Sequence, residues 1–370
     1  MTKKYHNSLV KKNSKEIGSY FSLSEDMLYE KNDTCLCMPK EYSFLSTCRS
    51  AIDMCLKQIN ANKKIALLPS FTCHAVVEPF IKNEYLVIPY KIKKNFEIDI
   101  EALLNQLEVI KPTVVLVHDY FGINTNRNIN CSIIERECKK KSIHIIVDRT
   151  QSMFSTYKQL QGEFYVGSIR KWLGIPDGAF VNIQLNIQEE DKQLIDSKCK
   201  AMIYKNNYIE ENIGNKEILL KQYNEAEKIL DSRRHIYKMS TLSQKIISNT
   251  SFDYLREVRR RNYELLSNGI SEDDFIKIPY KKLCKNEVPF YFPIFIQRKR
   301  AELQKYLAKN NVYATVIWAC PDIFIEKIDN ISNQIYKEIL CIPCDQRYTE
   351  EDMKYIVGLI MNFNKEIKHE

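Results

Sequence analysis

From about Phe44 to Leu185 short apolar runs alternate with segments of helical period, the order expected of a layered α/β domain with a largely parallel sheet. The pattern predicts strands over residues 65–69, 85–90, 113–119, 143–148, 162–167 and 179–185. Helices are predicted between them over 49–59, 75–82, 100–107 and 129–141. From 187 to about 268 the pattern turns helical and charged, notably over 216–230 and 252–266, which marks a connector out of the first domain. A second βα unit follows, with strands at 275–280, 288–296 and 312–318 and helices at 299–309 and 349–361. Glu350 and Glu351 suit the first turn of that last helix, where acidic side chains face the positive end of the helix dipole. The expected division is a large domain with an N-terminal arm over 1–245 and a small α+β domain over 246–370.

Composition narrows the class. A chain of 370 residues, 44% hydrophobic and 28% charged, is long enough for two cores and needs no staples. The formal charge of +8 is spread through helical segments, which favours a solvated surface over a nucleic-acid track. The clusters Lys139-Lys140-Lys141 and Arg259-Arg260-Arg261 fit helix solvation or attraction of an anionic partner. Most of the twelve cysteines sit in apolar runs such as 340–344 and no secretory signal precedes them, so a reducing cytoplasm is expected. The pairs Cys35/Cys37 and Cys341/Cys344 lack a second pair or a histidine at suitable spacing, so no metal site is expected. Met1 to Lys15 is basic and polar, and no run approaches the roughly twenty apolar residues that span a bilayer. With nine glycines and neither G-x-G-x-x-G nor a P-loop, a nucleotide fold built on a glycine loop is disfavoured.

In open α/β sheets ligands gather at the carboxyl ends of the strands. The residues there form a coherent set. Asp148 ends the run Ile143-His-Ile-Ile-Val-Asp148, and Gln151 follows in the next turn. Lys171 stands on a tight turn between two strand-like runs, with Arg170 beside it. A lysine amine attacks carbonyls only when unprotonated, a state favoured by a desolvated pocket next to another cation. Ser46-Thr47-Cys48-Arg49-Ser50 precedes the first helix, whose N-terminal amides suit a phosphate. These are the parts of a pyridoxal phosphate site: an amine to anchor the aldehyde, a carboxylate for the pyridine nitrogen and a phosphate cradle. Helix capping explains Asp148 equally well at this level, and a solvated loop pair explains Lys171.

Several segments resemble the DegT/DnrJ/StrS family of sugar aminotransferases, which have the aspartate-aminotransferase-like fold type I. Ser46-Thr-Cys-Arg-Ser-Ala-Ile52 is similar to its phosphate turn, and Leu68-Pro-Ser-Phe-Thr72 to its turn beside the cofactor ring. Val117-His-Asp-Tyr-Phe-Gly122 resembles a strand end that closes with glycine. Ile146-Val-Asp-Arg-Thr-Gln151 matches the Asp-x-x-Gln element, and Lys171 with Asp177-Gly178-Ala179 looks like the Schiff-base lysine and its acidic turn. Ile342-Pro-Cys-Asp-Gln-Arg-Tyr-Thr-Glu-Glu-Asp-Met353 resembles the opening of the last helix.

The resemblance implies a three-layer, mostly parallel large domain of the pyridoxal phosphate transferase fold with a smaller C-terminal domain. It implies catalysis by Lys171 and Asp148, and cofactor contacts from Lys171, Asp148, Gln151, Ser168, Thr47, Cys48, Arg49, Cys73 and His74. Ser168 takes the phosphate contact because Val166 stands where the family has serine; Cys48 replaces a glycine. Cys73 and His74 occupy the ring-stacking position, with a buried structural histidine as the alternative for His74. The segment Tyr237-Lys-Met-Ser240 resembles one that reaches the partner's site, but Ile236 replaces the expected asparagine. The implied enzyme is a homodimer that moves an amino group from an amino-acid donor to a nucleotide-linked keto-sugar in amino-sugar or surface-polysaccharide biosynthesis. Trp318 and the cluster Arg233-Arg234-His235 are further candidate substrate contacts. Two other readings stand beside it: another pyridoxal phosphate reaction, with Lys171 arguing against a dehydratase, and a cofactor-free relative acting as a binding protein.

Overall fold

The structure is a computed structural model that describes residues 16–29 and 41–368. The pair Cys35/Cys37 and the segment from Met1 to Lys15, on which two of the expectations fall, lie outside the described residues.

The first sheet has seven strands: β1 (Ser43–Leu45), β2 (Ile65–Pro69), β3 (Leu86–Tyr90), β4 (Val114–His118), β5 (His144–Asp148), β6 (Phe164–Ser168) and β7 (Ala179–Val181). Their order is β1-β7-β6-β5-β4-β2-β3. Pairing is parallel from β3 through β6, and β7 and β1 run antiparallel at the edge. Helices α1 (Cys48–Ile59), α2 (His74–Lys82), α3 (Ile100–Ile110) and α4 (Ser132–Lys140) cross between strands. The strands are apolar on both sides because both faces are covered. Leu67, Val115, Val117 and Val147 pack into one cluster, while their neighbours Ala66, Leu68, Val114, Leu116, Ile146 and Val166 pack into another. Alternate residues therefore feed opposite helix layers, which makes the large unit three layers deep.

Four helices follow: α5 (Lys192–Asn206), α6 (Lys216–Ser232), α7 (Thr241–Ser248) and α8 (Phe252–Gly269). The second sheet holds β8 (Ile276–Lys277), β9 (Phe292–Ile296) and β10 (Ile339–Ile342), all antiparallel in the order β10-β9-β8. Helices α9 (Arg300–Lys309), α10 (Asn330–Glu338) and α11 (Glu350–Lys368) complete it. Leu67, Phe71 and Val117 of the first unit share a cluster with Tyr263, Phe292 and Ile342, so the two sheets are joined by one continuous core. Among the described residues no helix is long and apolar enough to cross a membrane.

Two strand expectations need correcting. Residues 312–318 form no ladder; Val312 bridges Ile17 and Thr315 bridges Cys341 as isolated contacts. The ladder partner of β9 is instead β10, which starts directly after Glu338 without the turn residues that would announce it. The strand expected over 179–185 stops at Val181.

Candidate functional site

Lys171 closes a short helical turn, Ile169–Lys171, between β6 and β7. The turn is pinned on both sides. The backbone N–H groups of Ile169 and Arg170 donate to Gly178 O at 3.0 and 3.2 Å. Trp172, fully buried, donates its indole N–H to Thr150 O at 2.6 Å and lies under the Arg259 guanidinium at 4.3 Å. The Lys171 stem is thus carried by rigid backbone, and its amine opens into a cavity with no described residue ion-paired to it.

Asp148, at the carboxyl end of β5, is buried. In the parallel register His118, the last residue of β4, stands directly beside it. His118 Nδ1 lies 3.4 Å from Asp148 Oδ2, and the Thr150 N–H donates to Asp148 Oδ1 at 2.8 Å. Burial pushes the Asp148 carboxyl up, but the hydrogen bonding and charge of His118 together with the Thr150 bonds outweigh it and hold the group below the usual carboxylate range. The other imidazole nitrogen, Nε2, is 2.6 Å from Thr72 Oγ1. Gln151 accepts the Phe121 N–H on its amide oxygen at 2.6 Å, which leaves its NH2 as the donating end, and it borders the same cavity as Lys171. Phe121 and Gly122 both have positive φ, 57° and 74°. A Cβ on Gly122 would fall 1.9 Å from Val288 O, so the turn that anchors Gln151 requires glycine there.

The phosphate side is built differently from the expectation. Thr47 caps α1, accepting the Ser50 N–H at 3.1 Å, so its hydroxyl serves the helix. The Arg49 guanidinium is drawn to Glu78 at 3.1 Å and Asp231 at 2.7 Å, so this arginine is committed to ion pairs. The Ser46 hydroxyl is buried with no protein partner. Ser168 is buried at the end of β6, its N–H bonded to Thr150 Oγ1 at 3.1 Å. The Cys48 sulfur lies 3.9 Å from Thr150 Oγ1, and Lys171 and Asp148 both act electrostatically on Cys48 and Cys73. Burial pushes the Cys73 thiol up, with Lys171 opposing the rise. His74 is exposed as the first residue of α2, which removes the alternative of a buried structural histidine. Cys73 and Cys48 thus stand near the lysine, whereas neither Arg49 nor His74 is turned to it by any described contact.

The remaining candidates separate cleanly. Trp318 borders the cavity and packs on Phe71 and His118, with ring centroids 5.3 and 5.9 Å away. Arg233 is clamped by Asp191 at 2.6 and 2.9 Å and is structural. The segment around Tyr237 runs beside β1, its carbonyl accepting the Ser46 N–H at 2.9 Å, and Ser240 bonds to Asp177. Sequence reasoning singled out neither His118 nor Thr72. The available signal was position, since His118 ends an apolar strand just as Asp148 does.

The cavity measures about 510 Å3 and runs from Gln151 and Lys171 to the segment 16–21. Asp148, Ser168 and Cys73 do not border it; they are buried beside it. Basic side chains outnumber acidic ones on its wall. Glu16 pairs there with Lys205 and Lys216; although burial pushes its carboxyl up, the lysines win and bring it down to about 2. Tyr20 stacks on Tyr223 at 4.0 Å, and Arg347, held by Asp345, lies over Phe21 at 3.9 Å. Among the described residues no group of three or more histidine, cysteine or acidic side chains is arranged to hold a metal ion.

A buried orphan hydroxyl at a helix N-terminus, an ionised carboxylate at a strand end and an unpaired amine are the donor set of a pyridoxal phosphate pocket, and these residues fit that cofactor. Residues 218–361 match the model of the DegT/DnrJ/EryC1/StrS aminotransferase family. Among curated proteins none matches the sequence. The fold is shared with the aminotransferase TlmJ from Streptoalloteichus hindustanus, with TM-score 0.67 and 13% identity over 89% of this chain and 87% of that one. It is also shared with Helicobacter pylori PseC, an aminotransferase involved in the biosynthesis of pseudoaminic acid, with TM-score 0.64 and 13% identity over 98% and 95% of the chains. Bacillus subtilis NtdA with bound cofactor PMP aligns with TM-score 0.61 and 14% identity over 86% and 72%. Over residues 218–361 the chain thus resembles the DegT/DnrJ/EryC1/StrS aminotransferase family, and as a whole it shares the fold of these solved aminotransferases.

Proposed function

We propose that the protein transfers an amino group from an amino-acid donor to a nucleotide-linked keto-sugar, with Lys171 as the covalent anchor and the proton carrier. The observation that carries this reading is the Lys171 amine, carried on a pinned turn and facing a cavity whose charged wall residues are mostly basic. Pyridoxal phosphate, when bound, supplies an electron sink for the carbon next to the donor nitrogen. Asp148, ionised and buried, holds a proton on the facing ring nitrogen by charge. The Gln151 NH2, left free to donate, would serve the ring's phenolic oxygen. Ser46 and Ser168, with the backbone at the start of α1, would be the neutral donors for the phosphate, and Cys48 and Cys73 would stand nearest the ring. The Lys171 amine would hold the cofactor's aldehyde and, when released, would serve as the base and acid that moves a proton in the transfer. The excess of positive charge on the cavity wall favours an acceptor that brings phosphate groups. Sugar amination in surface-polysaccharide synthesis, by a homodimer in the cytoplasm, is the setting we propose for this chemistry.

Purified protein mixed with pyridoxal phosphate is expected to gain a visible band, which glutamate then bleaches as the amino group moves to the cofactor. Lys171→Ala is expected to show neither the band nor turnover. Wild-type protein that stays colourless with added cofactor would rule this function out.

A further inference from the structure

Three elements far apart in sequence meet behind Asp148. The small-domain helix α10 sends Tyr336 against the turn that follows β2. Its hydroxyl accepts the Thr72 N–H at 2.9 Å and points at Ser70 O (3.1 Å) and Thr72 O (2.9 Å). Ser332, one turn earlier on α10, donates to Ser70 Oγ at 2.7 Å. The turn carries Thr72, whose Oγ1 lies 2.6 Å from His118 Nε2, and His118 Nδ1 faces Asp148 Oδ2 at 3.4 Å. Ser70, Thr72, His118, Asp148, Ser332 and Tyr336 are all buried, so no water stands in for a lost partner without cost.

From this arrangement we propose that Thr72 and the small-domain Tyr336 are positioning residues for Asp148, acting through His118. The proposal rests on the reading of Asp148 as the carboxylate that faces the cofactor ring. A threonine hydroxyl both donates and accepts, so Thr72 satisfies Nε2 whether that nitrogen is a bare acceptor or an N–H donor. With Nε2 satisfied on one side, the Nδ1 proton stays directed at the carboxylate on the other. Tyr336 fixes the backbone of Thr72 by holding its N–H, and thereby fixes where the hydroxyl sits. Tyr336 therefore reaches the carboxylate at the centre of the large domain by hydrogen bonds, and it does not itself border the cavity that Lys171 faces.

The test uses the full chain and three variants, Thr72→Val, Thr72→Ser and Tyr336→Phe. Histidine-ring nitrogen NMR on cofactor-free protein reads His118 directly, its signals identified by their loss in His118→Gln. Thr72→Val is expected to move the Nε2 signal to its unbonded position. Thr72→Ser is expected to restore it, and Tyr336→Phe to shift it in the same direction by less. With pyridoxal phosphate added, Thr72→Val is expected to weaken cofactor retention about tenfold and Tyr336→Phe about threefold, the scale of one buried hydrogen bond and a part of one. A His118 signal indifferent to all three variants overturns the proposal, as does a Thr72→Ser variant that behaves like Thr72→Val. The nitrogen spectra need no cofactor, so they decide the proposal even if Lys171→Ala leaves the cofactor spectrum unchanged and the proposed function fails; if Thr72→Val does not fold, the other two variants decide it.

Discussion

Asp177 shows what burial does to a single carboxyl here. It lies fully buried, accepting from the hydroxyls of Ser240 and Ser243 at 2.6 Å each and from the Ser240 N–H at 3.0 Å. Burial raises it to about 6, with the serine bonds opposing the rise. A carboxyl raised on folding from its ordinary 3.8 stabilises the fold most below that value, and the contribution is lost as pH climbs through about 6. Asparagine carries no such titration. Asp177→Asn should therefore melt progressively closer to, or above, wild type between pH 4 and 7, by a relative gain of roughly 3 kcal/mol. A stability difference that stays constant over that range, measured by thermal unfolding, would contradict this. At the same scale, the placement of Asp148 at a strand end and of Gln151 and Lys171 in the turns after strands was legible from the apolar runs that precede them. Arg49 was not legible: its charge suggested a phosphate, but two carboxylates from α2 and α6 reach it first. His118 was missed because its role appears only when β4 and β5 are set in register.

Among the elements, the connector helices α5 and α6 depend on one residue. Asp191 caps α5 by accepting the Leu194 N–H at 3.1 Å, and the same carboxylate holds Arg233 just past the end of α6. The side chain is buried and its partner is a quarter exposed. Asp191→Ala removes a cap and leaves a guanidinium without its anion, a loss on the order of 3 kcal/mol. Asp191→Asn retains the cap and should lose less; equal losses in chemical denaturation would show that capping contributes nothing. The helices of this region were legible from period and charge. The strand β10 was not, because it follows α10 without a break and its apolar run matches either state. Residues 312–318, rich in β-branched and aromatic side chains, have strand propensity but pair only through single bridges, so tertiary context overrides the local preference.

For the whole molecule, the wall of segment 16–21 closes the cavity far from the sheet, through Glu16 on Lys205 and Lys216 and through Arg347, which donates to Ser19 O and Tyr20 O. No pattern in the sequence announces that closure, since it joins residues from 189 to 328 positions apart. Glu16→Gln removes the charge that two lysines share and should loosen the segment, raising proteolysis after residue 16 several-fold; unchanged cleavage would contradict its anchoring role. We expect the chain to be a homodimer at micromolar concentration by light scattering, and a monomer there would contradict the assembly proposed for it. The central claim, that Lys171 binds the cofactor covalently, has a direct test. Protein loaded with pyridoxal phosphate is reduced with borohydride, digested and mapped by mass spectrometry. The pyridoxyl adduct is expected on the peptide that contains Lys171 and on no other; an adduct on a different lysine, or none at all, would contradict the account.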